Sequence, residues 1–211
     1  MSMLSRSSLL SCALTGSLLL AGNLNYALAD VAMSQRVQVR GTVDSLNGNQ
    51  LTVQSHEGNK IRIQMKQGAM VSGVAKASFN DIKQGDYVGI ASLPKSDEGD
   101  GALEVLIFPA QLKGVNEGSF SWDLKPGSSM TNATVANTVK SVNNRIVTVT
   151  YHGHEKDIAV PEGTPIVTLS PATMNDVKPG AIVFVPAQKG EGNTLIANTL
   201  IVGKNGVVPP M

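Results

Sequence analysis

Two stretches of this chain read nearly alike. Gly41-Thr-Val-Asp-Ser-Leu-Asn-Gly-Asn-Gln-Leu-Thr-Val53 lies over Asn137-Thr-Val-Lys-Ser-Val-Asn-Asn-Arg-Ile-Val-Thr-Val149 at a constant offset of 96, which also sets His56 over His152 and Lys60 over Lys156. Past one deletion the offset becomes 95, with Phe79-Asn-Asp-Ile-Lys-Gln-Gly85 over Met174-Asn-Asp-Val-Lys-Pro-Gly180. A long internal period constrains the fold before any other feature does, because each copy has to be one supersecondary unit. Within each copy the apolar residues recur every second position, the spacing of a strand with one buried face.

In the first copy, 37–43, 51–54 and 60–65 alternate in this way, and Asn47-Gly48 marks a tight hairpin because both residues tolerate positive φ. A shorter strand near 69–72, a tight or helical turn at 80–86 and strands at 87–90 and 103–108 complete it. The second copy repeats the plan with strands at 135–142, 146–151, 156–160, 165–169, 181–185 and 195–202, and a helical turn at 175–178. So many short strands predict an all-β chain of two tandem small OB/SH3-like β-barrels, closed so that no sheet edge is left open. An open sandwich with one continuous sheet is the alternative. Between the copies, 108–134 is rich in Gly, Pro and Ser, carries the only tryptophan, Trp122, and shows no period of two or 3.6; it reads as an ordered connector. The predicted divisions are a leader at 1–29, a first barrel at 30–108, a connector at 109–132, a second barrel at 133–205 and a tail at 206–211.

The leader has a short start with one charge, Arg6, then an apolar run over 9–21, then Ala27-Leu28-Ala29. That is a signal peptide cleaved between Ala29 and Asp30, with an apolar run of about 13 residues where a membrane span needs roughly 20. Cys12, the only cysteine, falls inside it, so the expected mature chain has no disulfide, thiolate ligand or cysteine nucleophile. Arg6 is also its only charged residue; without it the 17 basic residues fall level with the 16 acidic ones. An uncharged balance with 4% aromatics argues against nucleic acid, which asks for a basic face and stacking rings, and against an anionic lipid surface. No membrane span is expected after the leader.

No motif announces catalysis. The histidines are His56, His152 and His154, and in Tyr151-His-Gly-His-Glu155 two of them stand two apart, which on an extended strand faces both to one side. Two imidazoles with an acid would make a metal site if further ligands converged; the competing reading is a solvated hairpin tip. No serine sits in a Gly-x-Ser-x-Gly elbow. Asp97-Glu-Gly-Asp100-Gly lacks EF-hand spacing and reads as a solvated hairpin loop. Asn132-Ala-Thr134 is formally a glycosylation sequon. Phe120, Trp122 and Asp123 are the candidate ligand or partner contacts, although Trp122 together with Phe108, Leu112, Phe120 and Leu124 also suits packing between the barrels.

Phe108-Pro109, Gly114-Val-Asn-Glu-Gly118, Trp122-Asp123, Met130-Thr-Asn-Ala-Thr-Val135, Val160-Pro-Glu-Gly-Thr-Pro-Ile166 and Gly203-Lys-Asn-Gly-Val-Val-Pro-Pro-Met211 resemble an exported Gram-negative bacterial family of unknown function. Its members carry domains of the Gly-Thr-Val…Leu-Thr-Val type and are often labelled metal ABC transporter permeases. The resemblance implies a periplasmic setting and supplies no site residues. A permease needs several membrane spans, which this sequence lacks. The expectation is thus a periplasmic, non-enzymatic binding or assembly module without a cofactor, its partner an envelope protein or a small ligand near Trp122. The alternatives are a metal-handling accessory protein using His152 and His154, and an envelope hydrolase.

Overall fold

The computed structural model describes residues 36–95, 99–140 and 145–209. The expected leader, with Cys12 and the cleavage point after Ala29, lies outside them. The described chain is all-β: β1 (Arg36–Asn47), β2 (Gln50–Ser55), β3 (Lys60–Lys76), β4 (Tyr87–Lys95), β5 (Gly99–Ile107), β6 (Gly118–Ser121), β7 (Ser129–Lys140), β8 (Arg145–Tyr151), β9 (His154–Ala159), β10 (Ile166–Pro171), β11 (Ile182–Lys189) and β12 (Leu195–Gly203). Among the described residues the helical elements are single 3₁₀ turns, and no helix is long and apolar enough to cross a membrane.

A small barrel closes where β1 pairs with β2 and β11, β2 with β3, β11 with β12, and β12 returns parallel to β3. Its interior is Val39, Val43, Leu51, Val53, Ile63 and Leu200, among others, nearly all without solvent contact. The strands β4, β5, β7, β8 and β9 pair in the same circular order. Their ring is completed by the parallel pairs Asp100 with Ile158 and Gly101 with Ala159, around Val88, Ile90, Val105, Val135, Val149 and Ile158. The closed ring excludes the open sandwich.

The barrels are not contiguous in sequence, which corrects the expected divisions at 30–108 and 133–205. The first barrel takes β1, β2 and β3 from the N-terminal half and β11 and β12 from the C-terminal half; the second takes β4 and β5 from the former and β7, β8 and β9 from the latter. The physical reason lies at the centre. The strand expected near 69–72 is the continuation of β3, and its far half pairs antiparallel with β10, Val74 opposite Leu169, Ser72 opposite Pro171 and Lys76 opposite Val167. That ladder runs alike to either side of Val74 and Leu169, so the chain crosses from one ring to the other at an approximate two-fold axis. Val74, Leu106 and Val167 form a separate buried cluster there, and Val207 of the tail packs against it.

The two rings match closely. β12 sets Leu200 beside Val71 on β3, and β5 sets Val105 beside Ile166 on β10. Matching 3₁₀ turns at Phe79–Asp81 and Met174–Asp176 each carry a capping box. Hydrogen bonds from Ser78 hold the Asp81 carboxyl below its ordinary pKa, and the Thr173 N–H does the same for Asp176. The offset of 96 holds in the second strand of each ring and becomes 95 from the third onward, and both fail in the opening strand. Val43 N–H donates to Ala181 O while Val135 N–H donates to Asp86 O, and a register shift follows each, at Val43/Ser45 and Val135/Asn137. Val43 therefore corresponds to Val135 and not to Val139, because the β7–β8 hairpin is four residues longer. At Gly41 only glycine fits: a Cβ would lie 2.1 Å from Gln54 O.

The expected ordered connector at 109–132, read as neither strand nor helix, holds a 3₁₀ turn at Ala110–Leu112, all of β6 and the first residues of β7. It is anchored to the second ring by the Tyr87 hydroxyl, which donates to Val115 O at 3.0 Å, and by Lys113 Nζ, which donates to Gly85 O at 3.0 Å.

Two outcomes follow from this construction. Cleavage at an engineered protease site between Pro126 and Gly127, in an exposed turn, leaves the two fragments co-eluting on size exclusion until denaturant is added, since each ring holds strands of both. Sequence-contiguous barrels would separate at once. Burial, and secondly the charge of Glu117, pushes the Tyr87 phenol up to about 12 from its ordinary value. The folded state thus favours the protonated phenol, and its contribution is complete below about pH 10 and lost as pH climbs toward 12. In denaturation series at neutral and alkaline pH, Tyr87→Phe costs about 1 kcal/mol at neutral pH and flattens the alkaline decline.

Candidate functional site: a hydroxyl-lined mouth on the second barrel

The hairpin of β6 and β7 positions the site. Ser119 stands opposite Thr131, Ser121 opposite Ser129, and Phe120 opposite Met130. Alternation therefore gives the hairpin one face of hydroxyls and one of large apolar groups. The sequence Gly-Ser-Phe-Ser-Trp122 does have period two, with Phe120 and Trp122 half-buried and Ser119 and Ser121 exposed.

The apolar face leads to the first barrel. Trp122 meets Phe120 edge-on at 6.2 Å between ring centroids and Phe184 of β11 at 6.1 Å, while the Arg40 guanidinium of β1 lies 5.5 Å from the indole centroid and 5.2 Å from that of Phe184. Arg40 Nη2 also donates to Asp123 Oδ1 at 2.7 Å. Of the three predicted contacts, then, Trp122 and Asp123 fasten the connector to β1 and β11, and Phe120 braces the indole. The indole Nε1 is buried without a hydrogen-bond partner among the described residues, a cost accepted for this packing.

The hydroxyl face leads into the second ring. Val88 and Ile90 point into its core, and the next inward residue of β4 is Ser92, fully buried. On β7 the inward residues before Ala133 are Thr131, also fully buried, and Ser129; on β9 the one before Ile158 is Lys156. With Asp100 of β5 they close this mouth of the barrel by a connected network. Lys156 Nζ lies 2.5 Å from Asp100 Oδ2, and Ser92 Oγ donates to the same oxygen at 2.9 Å. Ser92 Oγ is 3.4 Å from Ser129 Oγ, Lys156 Nζ donates to Thr131 Oγ1 at 3.5 Å, and Thr131 Oγ1 is 3.0 Å from Ser119 Oγ. The side chains of Lys156 and Asp100 are 23% and 16% exposed, so the ion pair is mostly desolvated yet reachable. An open concavity of about 480 Å³ runs along the same hairpin, lined by Ser119, Ser121, Ser129, Phe120, Trp122 and the turn at Gly127–Ser128.

The first barrel supplies an internal control. Register places Val37 and Ala187 where Ser129 and Ser92 stand, Val39 where Thr131 stands, Ile61 where Lys156 stands and Leu195 where Asp100 stands. All five are apolar and belong to or pack against that core. One backbone plan thus carries a dry mouth and a wet one. Asp100, which in sequence reads as part of a solvated loop with Asp97 and Glu98, turns inward to Lys156; Asp97 and Glu98 lie outside the described residues. Lys156 was legible only as the partner of Lys60, and the pattern that could have exposed both was a set of polar residues at inward positions of the alternation.

The histidine pair does not sit as an extended strand would hold it. His152 takes φ +47 and Gly153 φ +78, forming the two-residue turn between Tyr151 and His154. That breaks the alternation on which a shared side depended. The Tyr151 ring lies 6.4 Å from His152 and 6.0 Å from His154, and the His152 N–H donates to Glu117 Oε1 at 3.0 Å. Both histidines are exposed, and no group of three or more His, Cys, Asp or Glu suited to a metal ion occurs among the described residues. Asn132 of the sequon is buried, its Nδ2 donating to Asn116 O at 3.1 Å. Compared with models of known families, with characterised proteins and with solved structures, the chain matches none.

A double-mutant cycle tests the wet mouth. Asp100→Leu strands the Lys156 ammonium and costs about 2 kcal/mol by equilibrium denaturation, less than a fully buried pair because both groups touch solvent. Adding Lys156→Ile, which rebuilds the first barrel's mouth, returns stability to within about 1 kcal/mol of the parent.

Proposed function

We propose that this chain is a non-enzymatic binding module of a bacterial cell envelope, exported by removal of residues 1–29, with the β6–β7 hairpin and the wet mouth as its ligand seat. The single observation behind this reading is the contrast between the two mouths. A buried ion pair is no more stabilising than well-packed apolar residues, and the first barrel closes with such residues, so the fold itself does not require Asp100 and Lys156. The concavity on the same hairpin is of the size that small-molecule sites have. We also read the two halves as copies of one unit, of which one kept an apolar mouth and the other diverged to bind.

A binding role suits the chemistry better than hydrolysis. The Ser92 hydroxyl donates to Asp100, and the Lys156 Nζ is paired with the same carboxylate. Neither arrangement gives a serine on this face the neutral base that a nucleophile needs. A role for His152 and His154 in metal handling draws no support from their turn geometry.

The reading is tested by thermal shift of the full chain against amino acids, dipeptides, nucleosides, inorganic anions and neutral sugars. A ligand of the folded state at about 100 times its Kd adds about 2.7 kcal/mol, several degrees in Tm. One class raises Tm, and Ser119→Ala/Ser129→Ala abolishes the rise. No response from any class, or a response that survives in the variant, removes the hairpin as a ligand seat.

A further inference from the structure

Taking that seat as given, we infer that its ligand is a neutral sugar, held through a pair of adjacent hydroxyls by Asp100 and Lys156. The argument starts from charge. One carboxylate and one ammonium lie in direct contact, so the mouth is neutral overall. An anionic or cationic ligand entering it would lose hydration and find no net countercharge. The ligand that suits it is polar and uncharged.

Atom by atom, the requirement narrows. Both polar contacts of Asp100 fall on Oδ2, from Ser92 and from Lys156, and Oδ1 has no hydrogen bond among the described residues. Lys156 Nζ carries three protons and touches two oxygens, those of Asp100 and Thr131, the second at 3.5 Å. The mouth therefore presents one strong acceptor beside one strong donor. A lone amide or hydroxyl uses only part of that pair. Two vicinal hydroxyls use all of it, one donating to Oδ1 and its neighbour accepting from Nζ. The neighbouring concavity, lined by Ser119, Ser121 and Ser129, repeats the match, since each of these hydroxyls donates and accepts as further ring hydroxyls do. The corresponding mouth of the first barrel, with Ile61 and Leu195, can do none of this.

The test uses amide chemical-shift mapping of the isotope-labelled full chain, titrated separately with glucose, galactose, N-acetylglucosamine and maltose. At least one sugar is expected to move the amides of Ser119, Ser121, Ser129 and Thr131 in a saturable way. In Asp100→Leu/Lys156→Ile, which copies the dry mouth and whose fold is checked by its melting curve, affinity drops about tenfold or more, the loss of roughly one hydrogen bond to a charged group. Methyl-blocked and deoxy sugars lacking the vicinal pair show the same loss with the parent chain. Shifts that persist unchanged in the variant overturn the inference. If no sugar perturbs these amides but an amino acid, nucleoside or anion does, the sugar assignment fails and the binding module stands. If nothing perturbs them, both fail.

Discussion

The parallel ladder of β12 along β3 is the constraint on which the rest of the molecule depends. Strand β3 runs for 17 residues, pairs at its start with β2, from Ile63 to Val74 with β12, and at its far end with β10. Because β12 lies parallel to β3, no tight hairpin can join them, and a long crossover is obligatory. Here the crossover is most of the protein. The other ring is built within it, and β5 repeats the same parallel closure against β9 and β10. Once that ladder is accepted, the exchange of strands between halves, the two-fold ladder at Val74 and Leu169, and the connector's position across both rings follow from it.

How much of this was legible depends on what alternation encodes. Period two in 37–43, 51–54 or 60–65 states which side of a strand is buried, and those strands are where it put them. It does not state which strand lies alongside, because Val43 would be as well buried against β5 as against β11. Long-range partner choice rests on the sum of many weak cross-strand contacts, and no single residue marks it. The repeat misled in one strand for a related reason: Gly41-Thr-Val matches Asn137-Thr-Val in letters, but four extra residues in the second hairpin move the matching bulge to Val135. The candidate site was legible in part. Phe120, Trp122 and Asp123 are together in space, but the indole and the carboxylate are spent on packing against Arg40. Asp100 reads from sequence as part of a solvated loop, and Lys156 as the solvated side of a strand; both are turned inward here.

Division of labour between the two faces of one short hairpin resolves the ambiguity that Trp122 posed. Its aromatic side fixes the connector to β1 and β11, using a cation–π contact that a desolvated guanidinium makes stronger than it would be in water. Its hydroxyl side completes the wet mouth through Ser119 and Thr131. A rigid attachment on one side is what gives the other side a fixed geometry.

Strand exchange also dictates an order of events for the chain as it is made. The first ring lacks two of its five walls until residue 203 has arrived, so the N-terminal half leaves the ribosome with unpaired β1 and β3 edges and no closed core. Folding must then proceed through contacts far apart in sequence, the slow regime for β proteins. During that wait the missing walls can come from a neighbouring molecule as readily as from the chain's own end, because both offer the same β11 and β12. The topology that fuses the two halves in the finished protein is the same one that makes its nascent form sensitive to crowding by its own copies.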